Sequence, residues 1–169
     1  MTKLTDKTYT PNSIRTFTGK TFDLKIMDPE SICIEDIAHG LAQRPRFAGQ
    51  LKEFYSVAQH SIWVGTKLPR EHKLAALLHD ASEAYLGDMP SPFKKLMPDF
   101  KHYEDQLMQV IAKKFHFKYP LDPIIKKADA ELLQMEWDYF INDSGALVPF
   151  DEYDVENMFL EAFHFVKNG

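Results

Sequence analysis

The hydrophobic positions of this chain recur with a helical rather than an alternating period. Ile32, Ile34, Ile37, Ala38 and Leu41 stand at near-helical spacing and predict a helix over about 34–43, announced upstream by Asp28-Pro29-Glu30. Arg44-Pro45 should end it, because the residue before a proline is pushed out of the helical region. Residues 46–56 read as a loop. Ser56 is a fair N-cap for a helix over about 57–68 that stops before Pro69. A third helix is expected over about 71–86, ending at Gly87. Asp88-Met89-Pro90-Ser91-Pro92 reads as a loop, since closely spaced prolines do not fit a helix interior, and short helical structure is expected over 93–97. Tyr103, Leu107, Val110, Ile111 and Phe115 mark an amphipathic helix over 99–116. Tyr119-Pro120-Leu121-Asp122-Pro123 breaks the chain again, and helices over about 122–141 and 152–167 complete it. Residues 14–30 lack helical period and read as short extended structure, a hairpin about Thr18-Gly19-Lys20.

The fold class predicted is therefore all-α: a compact bundle of about six helices with a short extended N-terminal segment. A chain of 169 residues suits one domain with a real core, divided into an extended segment, 1–30, and a helical domain, 31–169. No apolar run of about 18 residues predicts a membrane span. The opening MTKLTDKTYTPNS lacks the apolar stretch of a signal peptide. The single cysteine, Cys33, has no internal partner and reads as a small core hydrophobe. Together these point to a cytoplasmic protein, of a bacterial cell or a phage-infected host. The net charge of −5 and pI of about 5.8 argue against a nucleic-acid surface, which needs a basic stripe. They leave room for a small phosphate-bearing ligand, which needs only a few cations in one cleft.

Four residues suggest the chemistry. His60 lies in SVAQHSIWVG, His79 and Asp80 in KLAALLHDASEAYLGD, and Asp129 in IIKKADAELL. Each sits among apolar neighbours, where an imidazole or a carboxylate is costly unless something positive is shared between them. Two histidines and two aspartates suit a borderline divalent ion such as Mn²⁺, Fe²⁺, Co²⁺, Ni²⁺ or Zn²⁺. On a continuous helix Glu83 would stand one turn beyond His79 and Asp80, where a general base would sit. The bland reading of each residue alone is a boundary histidine or a solvated helix carboxylate. The joint order H…HD…D with Glu83 after the HD pair raises the metal reading above it. The remaining histidines, His39, His72, His102, His116 and His164, have no partner at ligand spacing.

The segments SVAQHS, LLHDASEAYLGDMPSP and KKAD resemble the metal motif of the HD-domain phosphohydrolases, over roughly residues 34–140. They are similar in particular to the small nucleotide-cleaving members, the bacterial 5′-deoxynucleotidases and the phage deoxynucleoside triphosphohydrolases, including those acting on dATP. The resemblance implies a metal held by His60, His79, Asp80 and Asp129, with Co, Mn, Zn or Fe as candidates and Mg accompanying a triphosphate. It implies Glu83 as the catalytic carboxylate and Asp88 near the sugar or the attacked phosphate. An arginine-aromatic pair falls on Arg46-Phe47, with Arg44 as the alternative arginine; Phe replaces the tryptophan often found there. Arg46 can bind phosphate oxygens bidentately. Lys94 and Lys95 are candidates for a longer phosphate tail, Pro90 for a stiff wall against the base, and Phe47, Trp63 and Tyr85 for the pocket. The expected activity is cleavage of a deoxynucleoside triphosphate to deoxynucleoside and triphosphate. Removal of phosphate from a deoxynucleoside monophosphate is the alternative, and a larger pocket would admit a cyclic dinucleotide or an alarmone. A non-catalytic nucleotide sensor is the reading from another class. The resemblance also implies a homo-oligomer, a dimer or a hexamer.

Overall fold

The structure, a computed structural model, describes residues 11–168, apart from the side chain of Glu152. The first ten residues of the expected segment 1–30 lie outside that range. Strands β1 (Ser13–Arg15) and β2 (Thr21–Asp23) pair antiparallel, with Ile14 opposite Phe22. The hairpin turns at Gly19, whose φ of +84° is open to glycine at no steric cost. Phe22 points into the core. Thr18 donates from its backbone N (2.7 Å) and its hydroxyl (2.9 Å) to Asp36, which anchors the hairpin on the first turn of α1 (Ile34–Ala42). Cys33, read as a core residue, is instead the half-buried N-cap of α1, its Sγ 3.0 Å from Asp36.

The other described elements are helical. α2 (Val57–Thr66), with Ser56 capping Gln59 N as expected, is the central one. Against it pack α1, α3 (Arg70–Leu77), α7 (Pro123–Phe140) and α8 (Glu152–Asn168). α4 (Glu83–Leu86) and α5 (Ser91–Lys94) are single turns, and α6 (Pro98–Phe115) inserts Leu107, Ile111 and Phe115 into the main core. The six longer helices are those the apolar period predicts, and the fold is all-α. Among the described residues no helix is long and apolar enough to cross a membrane.

Two local features position the site. α2 is buried over most of its circumference, so its polar residues Gln59, His60 and Ser61 lie inside. Gln59 is satisfied by Val148 O (2.7 Å) and Phe150 N (2.9 Å). α7 presents one inward stripe, Ile125, Ala128, Leu132 and Glu136, of which the first three form a second apolar cluster with Val64 and Ala76. The stripe ends in a carboxylate.

The expected helix over 71–86 is not continuous. α3 stops at Leu77, and residues 78–82 form tight turns before α4 begins. The cause is the His79 side chain. The Ala76 carbonyl, which a continuous helix would offer to Asp80 N, accepts from His79 N (3.4 Å) and from His79 Nδ1 (2.7 Å). His79 and Asp80 therefore reach the site from a turn rather than from a helix wall. Helical structure in the next loop also starts earlier than 93–97, at Ser91, because Pro92 occupies the first turn, where no backbone N–H is needed.

Candidate metal centre

His60 is completely buried on α2, and His79 is 9% exposed. Their rings stand 5.3 Å apart. His60 Nε2 lies 3.0 Å from Asp129 Oδ1 and 3.9 Å from Asp80 Oδ2; His79 Nε2 lies 3.1 Å from Asp80 Oδ2 and 3.9 Å from Asp129 Oδ1. Both Nε2 atoms are buried, and among the described residues the groups that face them are the carboxylates of Asp129 and Asp80. The opposite nitrogen of each ring is held. His79 Nδ1 donates to the Ala76 carbonyl, and His60 Nδ1 donates to the carboxylate of Glu136. A carbonyl can only accept, so the neutral His79 imidazole carries its proton on Nδ1 and presents a lone pair at Nε2. An outer acceptor on one nitrogen and a bare inner nitrogen on the other is the arrangement of metal-ligating histidines.

His60, His79 and Asp129 offer ligand atoms within 4.8 Å of one another and can hold a metal ion. Ligand atoms around an ion at about 2.0–2.2 Å stand about 3 Å apart, which the closest distances here match. The electrostatics run the same way. Burial disfavours the charged imidazole of His79, but Asp80 outweighs it and pushes the group up to about 9. Burial likewise opposes ionisation of Asp129 and Asp80. The two histidines hold both carboxyls below the usual range, His60 acting chiefly on Asp129 and His79 on Asp80. The site draws positive charge, whether proton or cation.

Two clefts open beside these residues. One, of about 500 Å³, is lined by Arg46, Phe47, Glu83, Asp88, Pro90 and Trp137 among others. The second, of about 480 Å³, is lined by Ser82, Lys101, Tyr119 and Lys126 among others. Asp80, Asp129 and Lys94 border both. Glu83 is 4% exposed, with Oε1 3.1 Å from Lys94 Nζ and Oε2 unpartnered. Burial, then Asp80 and Asp88, raise its carboxyl above the ordinary range against the pull of Lys94. Burial raises Asp88 also.

Of the two candidate arginines, Arg46 lines the cleft. Its Nε (3.1 Å) and Nη2 (2.9 Å) donate to Glu136 Oε2, leaving Nη1 without a hydrogen-bond partner among the described residues. Burial works against its charge; Glu136 and then Asp80 outweigh that and keep it protonated. Phe47 and Pro90 line the same cleft. Lys94 is present but engaged, 3.1 Å from Glu83 and 2.7 Å from Glu104. Lys95 is not part of the site: it is exposed and lines neither cleft. Adjacent helical residues diverge by about 100°, so Lys94 turned inward leaves Lys95 facing out. Tyr85 packs on Phe22 (4.5 Å) and Trp63 against the second apolar cluster, so neither lines the clefts.

The sequence reading missed Glu136. It is fully buried and takes hydrogen bonds from Arg46, from His60 and from Tyr55 (2.9 Å). Burial pushes its carboxyl up, but the His60 hydrogen bond and the His60 and Arg46 charges hold it below the usual range. Its signal was present: it continues the apolar stripe of α7 and stands two turns from Asp129, on the same side. Trp137, beside it, was missed too.

No family model matches the chain. It is 40% identical over 136 residues to the uncharacterized protein YfdR of Escherichia coli K12, across 80% of this chain and 76% of that protein. The chain belongs to the YfdR family. An uncharacterized protein of Rhodobacter capsulatus is 39% identical to this YfdR-family chain over 124 residues, 68% of the chain and 63% of that relative. Neither name carries an activity, so the functional reading rests on the site.

Proposed function

We propose that this chain is a metal-dependent phosphohydrolase of 2′-deoxynucleotides. The observation that carries the reading is the pair of buried Nε2 atoms, 3.0 and 3.1 Å from the carboxylates of Asp129 and Asp80, beside a cleft that also holds Arg46 and the buried Glu83. His60, His79 and Asp129, with Asp80 as the fourth ligand, would hold Co²⁺, Mn²⁺, Zn²⁺ or Fe²⁺. When bound, such an ion would supply Lewis-acid polarisation of the phosphoryl group and acidify a water.

The chain's own residues do the rest. Glu83, steered by Lys94, lines the cleft where it would position the attacking water, and in its ionised form it accepts the proton. Arg46 offers Nη1 to a phosphate oxygen while Glu136 fixes its other edge. Asp88 stands at the same cleft for the sugar or the attacked phosphate. Water attacks the α-phosphorus, the bond to the 5′ oxygen breaks, that oxygen takes the proton Glu83 received, and deoxynucleoside and triphosphate leave.

A triphosphate is favoured by the second cleft, which shares Asp80 and Asp129 with the first and carries Lys126, Lys101 there being paired with Asp105 (2.7 Å). Mg²⁺ would accompany that substrate. The engagement of Lys94 between Glu83 and Glu104, and the outward Lys95, favour a second reading, a deoxynucleoside monophosphate losing one phosphate. The HD resemblance extends the proposal to a cytoplasmic homo-oligomer, a dimer or hexamer.

The test is product analysis. Purified protein with Co²⁺ or Mn²⁺ is incubated with deoxynucleoside mono- and triphosphates, and phosphate and triphosphate are separated by ion exchange. Asp80→Ala should lose metal and activity together. Glu83→Gln should keep the metal and lose turnover by about 10²–10⁴-fold. Hydrolysis by metal-free Asp80→Ala would sink the scheme.

A further inference from the structure

Phe47 is the aromatic residue next to the cleft arginine, but its faces are committed. The Arg46 guanidinium carbon lies 5.6 Å over its ring. The Trp137 ring stands 6.3 Å away at an inclination of 48°. A planar ring slotted between two others needs roughly 7–8 Å and parallel planes, twice a van der Waals contact of ~3.5–4 Å. Nothing flat fits between Phe47 and Trp137, so the pair forms one wall of the cleft.

The uncommitted aromatic surface on that wall belongs to Trp137. It is 46% exposed, although it directly follows the fully buried Glu136 on α7. The step of about 100° from one residue to the next turns Glu136 into the core and Trp137 into the cleft. Pro90, Pro92, Met89 and Leu133 add to the apolar lining. The backbone beneath the wall is strained: Phe47 and Ala48 hold φ values of 53° and 54°, the left-handed region that side chains disfavour. Such strain concentrates where a structure holds groups in place for a ligand.

We infer that Trp137 is the platform on which the base of a nucleotide stacks, with Phe47 bracing it and Arg46 beside it for the phosphate. The inference rests on the nucleotide reading above and adds to it the class of group recognised and the residue responsible. Every base has a π-face, so a stacking platform tolerates different bases. The cleft should therefore accept several, with purines ahead of pyrimidines through their larger ring area.

Trp63→Phe leaves Trp137 as the remaining tryptophan of the two in the chain. In that protein, titration with 2′-deoxyadenosine should quench tryptophan fluorescence saturably, and 2-deoxyribose 5-phosphate, which has no base, should not. Trp137→Ala should raise KM for deoxynucleotides about tenfold, and Trp137→Phe should recover most of the loss. A silent Trp137, or an unchanged KM in Trp137→Ala, in a protein that hydrolyses nucleotides overturns the platform and leaves the nucleotide reading standing. A protein that neither binds nor hydrolyses any nucleotide tested overturns both.

Discussion

Arg46 and His60 are joined through opposite oxygens of one carboxylate: Glu136 takes the guanidinium on Oε2 and the imidazole Nδ1 on Oε1. The residue proposed to meet the phosphate and a residue that faces the metal position thus share a counter-charge that is fully buried.

Replacing that carboxylate tests the link. Glu136→Gln is nearly isosteric but leaves the Arg46 charge buried and unpaired, which should cost about 3–5 kcal/mol of stability. It also weakens the acceptor that orients His60, so affinity for Mn²⁺ or Co²⁺ should fall about 10–100-fold. Thermal unfolding reads the first and isothermal titration with the metal alone reads the second. Unchanged metal affinity would mean that Glu136 serves Arg46 and Tyr55 and leaves His60 unaffected.

Lys94 sits between Glu83 and Glu104, and the role proposed for it is to position Glu83. Burial works against its charge, but Glu83 and Glu104 outweigh that and keep it firmly protonated. Lys94→Met keeps the aliphatic stem and removes two charged hydrogen bonds, each worth about 1.5–3 kcal/mol. Loss of the one to Glu83 should lower kcat about 10–100-fold, with metal content by elemental analysis unchanged. A rise in KM for triphosphates alone, at constant kcat, would assign Lys94 to the phosphate tail instead.

The helices could be read from the apolar period because each buries a stripe, as Ile125, Ala128 and Leu132 do on α7. The candidate group His60, His79 and Asp129 could be read because polar side chains in such runs need a partner. The break after Leu77 could not, since it depends on a choice by one side chain, His79 Nδ1 taking the Ala76 carbonyl, and apolar spacing does not encode it. The same holds for Lys94 and Lys95. They are identical in composition, and only the placement of one helical turn makes the first a site residue and the second a surface residue. Glu136 lay within reach of pattern reading but was hidden by the habit of taking a helix carboxylate as solvated.

Gly40 of α1 faces α4, the turn that begins with Glu83. A Cβ added there would stand 2.9 Å from Ala84 Cβ and 3.1 Å from its Cα and carbonyl oxygen. In an open helix Gly→Ala gains about 1 kcal/mol. Here overpacking against backbone, at about 1–3 kcal/mol, should prevail. Gly40→Ala should therefore lower Tm by a few degrees and, by displacing α4, reduce turnover. A higher Tm would show that the two helices have room to separate without cost.

Asp36 gives the fold a pH dependence whose sign is set by its partners. Burial alone would push its carboxyl up, but hydrogen bonds from Cys33 and from the Thr18 backbone and hydroxyl outweigh it and hold the group below its ordinary range. A folded-state value below the unfolded one of about 3.9 means that the stabilisation is complete above that pH. It is lost as pH falls through the folded value. Asp36→Asn keeps the shape and removes the charge, so near neutrality it should cost about 1–3 kcal/mol and loosen the hairpin from α1. As pH drops below about 4 the carboxyl of the unfolded chain protonates first, so the gap between the two proteins narrows, and it closes as pH falls through the lower folded value. Chemical denaturation of both across pH 3–7 measures the gap directly. A gap that stays constant over that range would mean the Thr18 and Cys33 contacts stabilise through shape rather than charge.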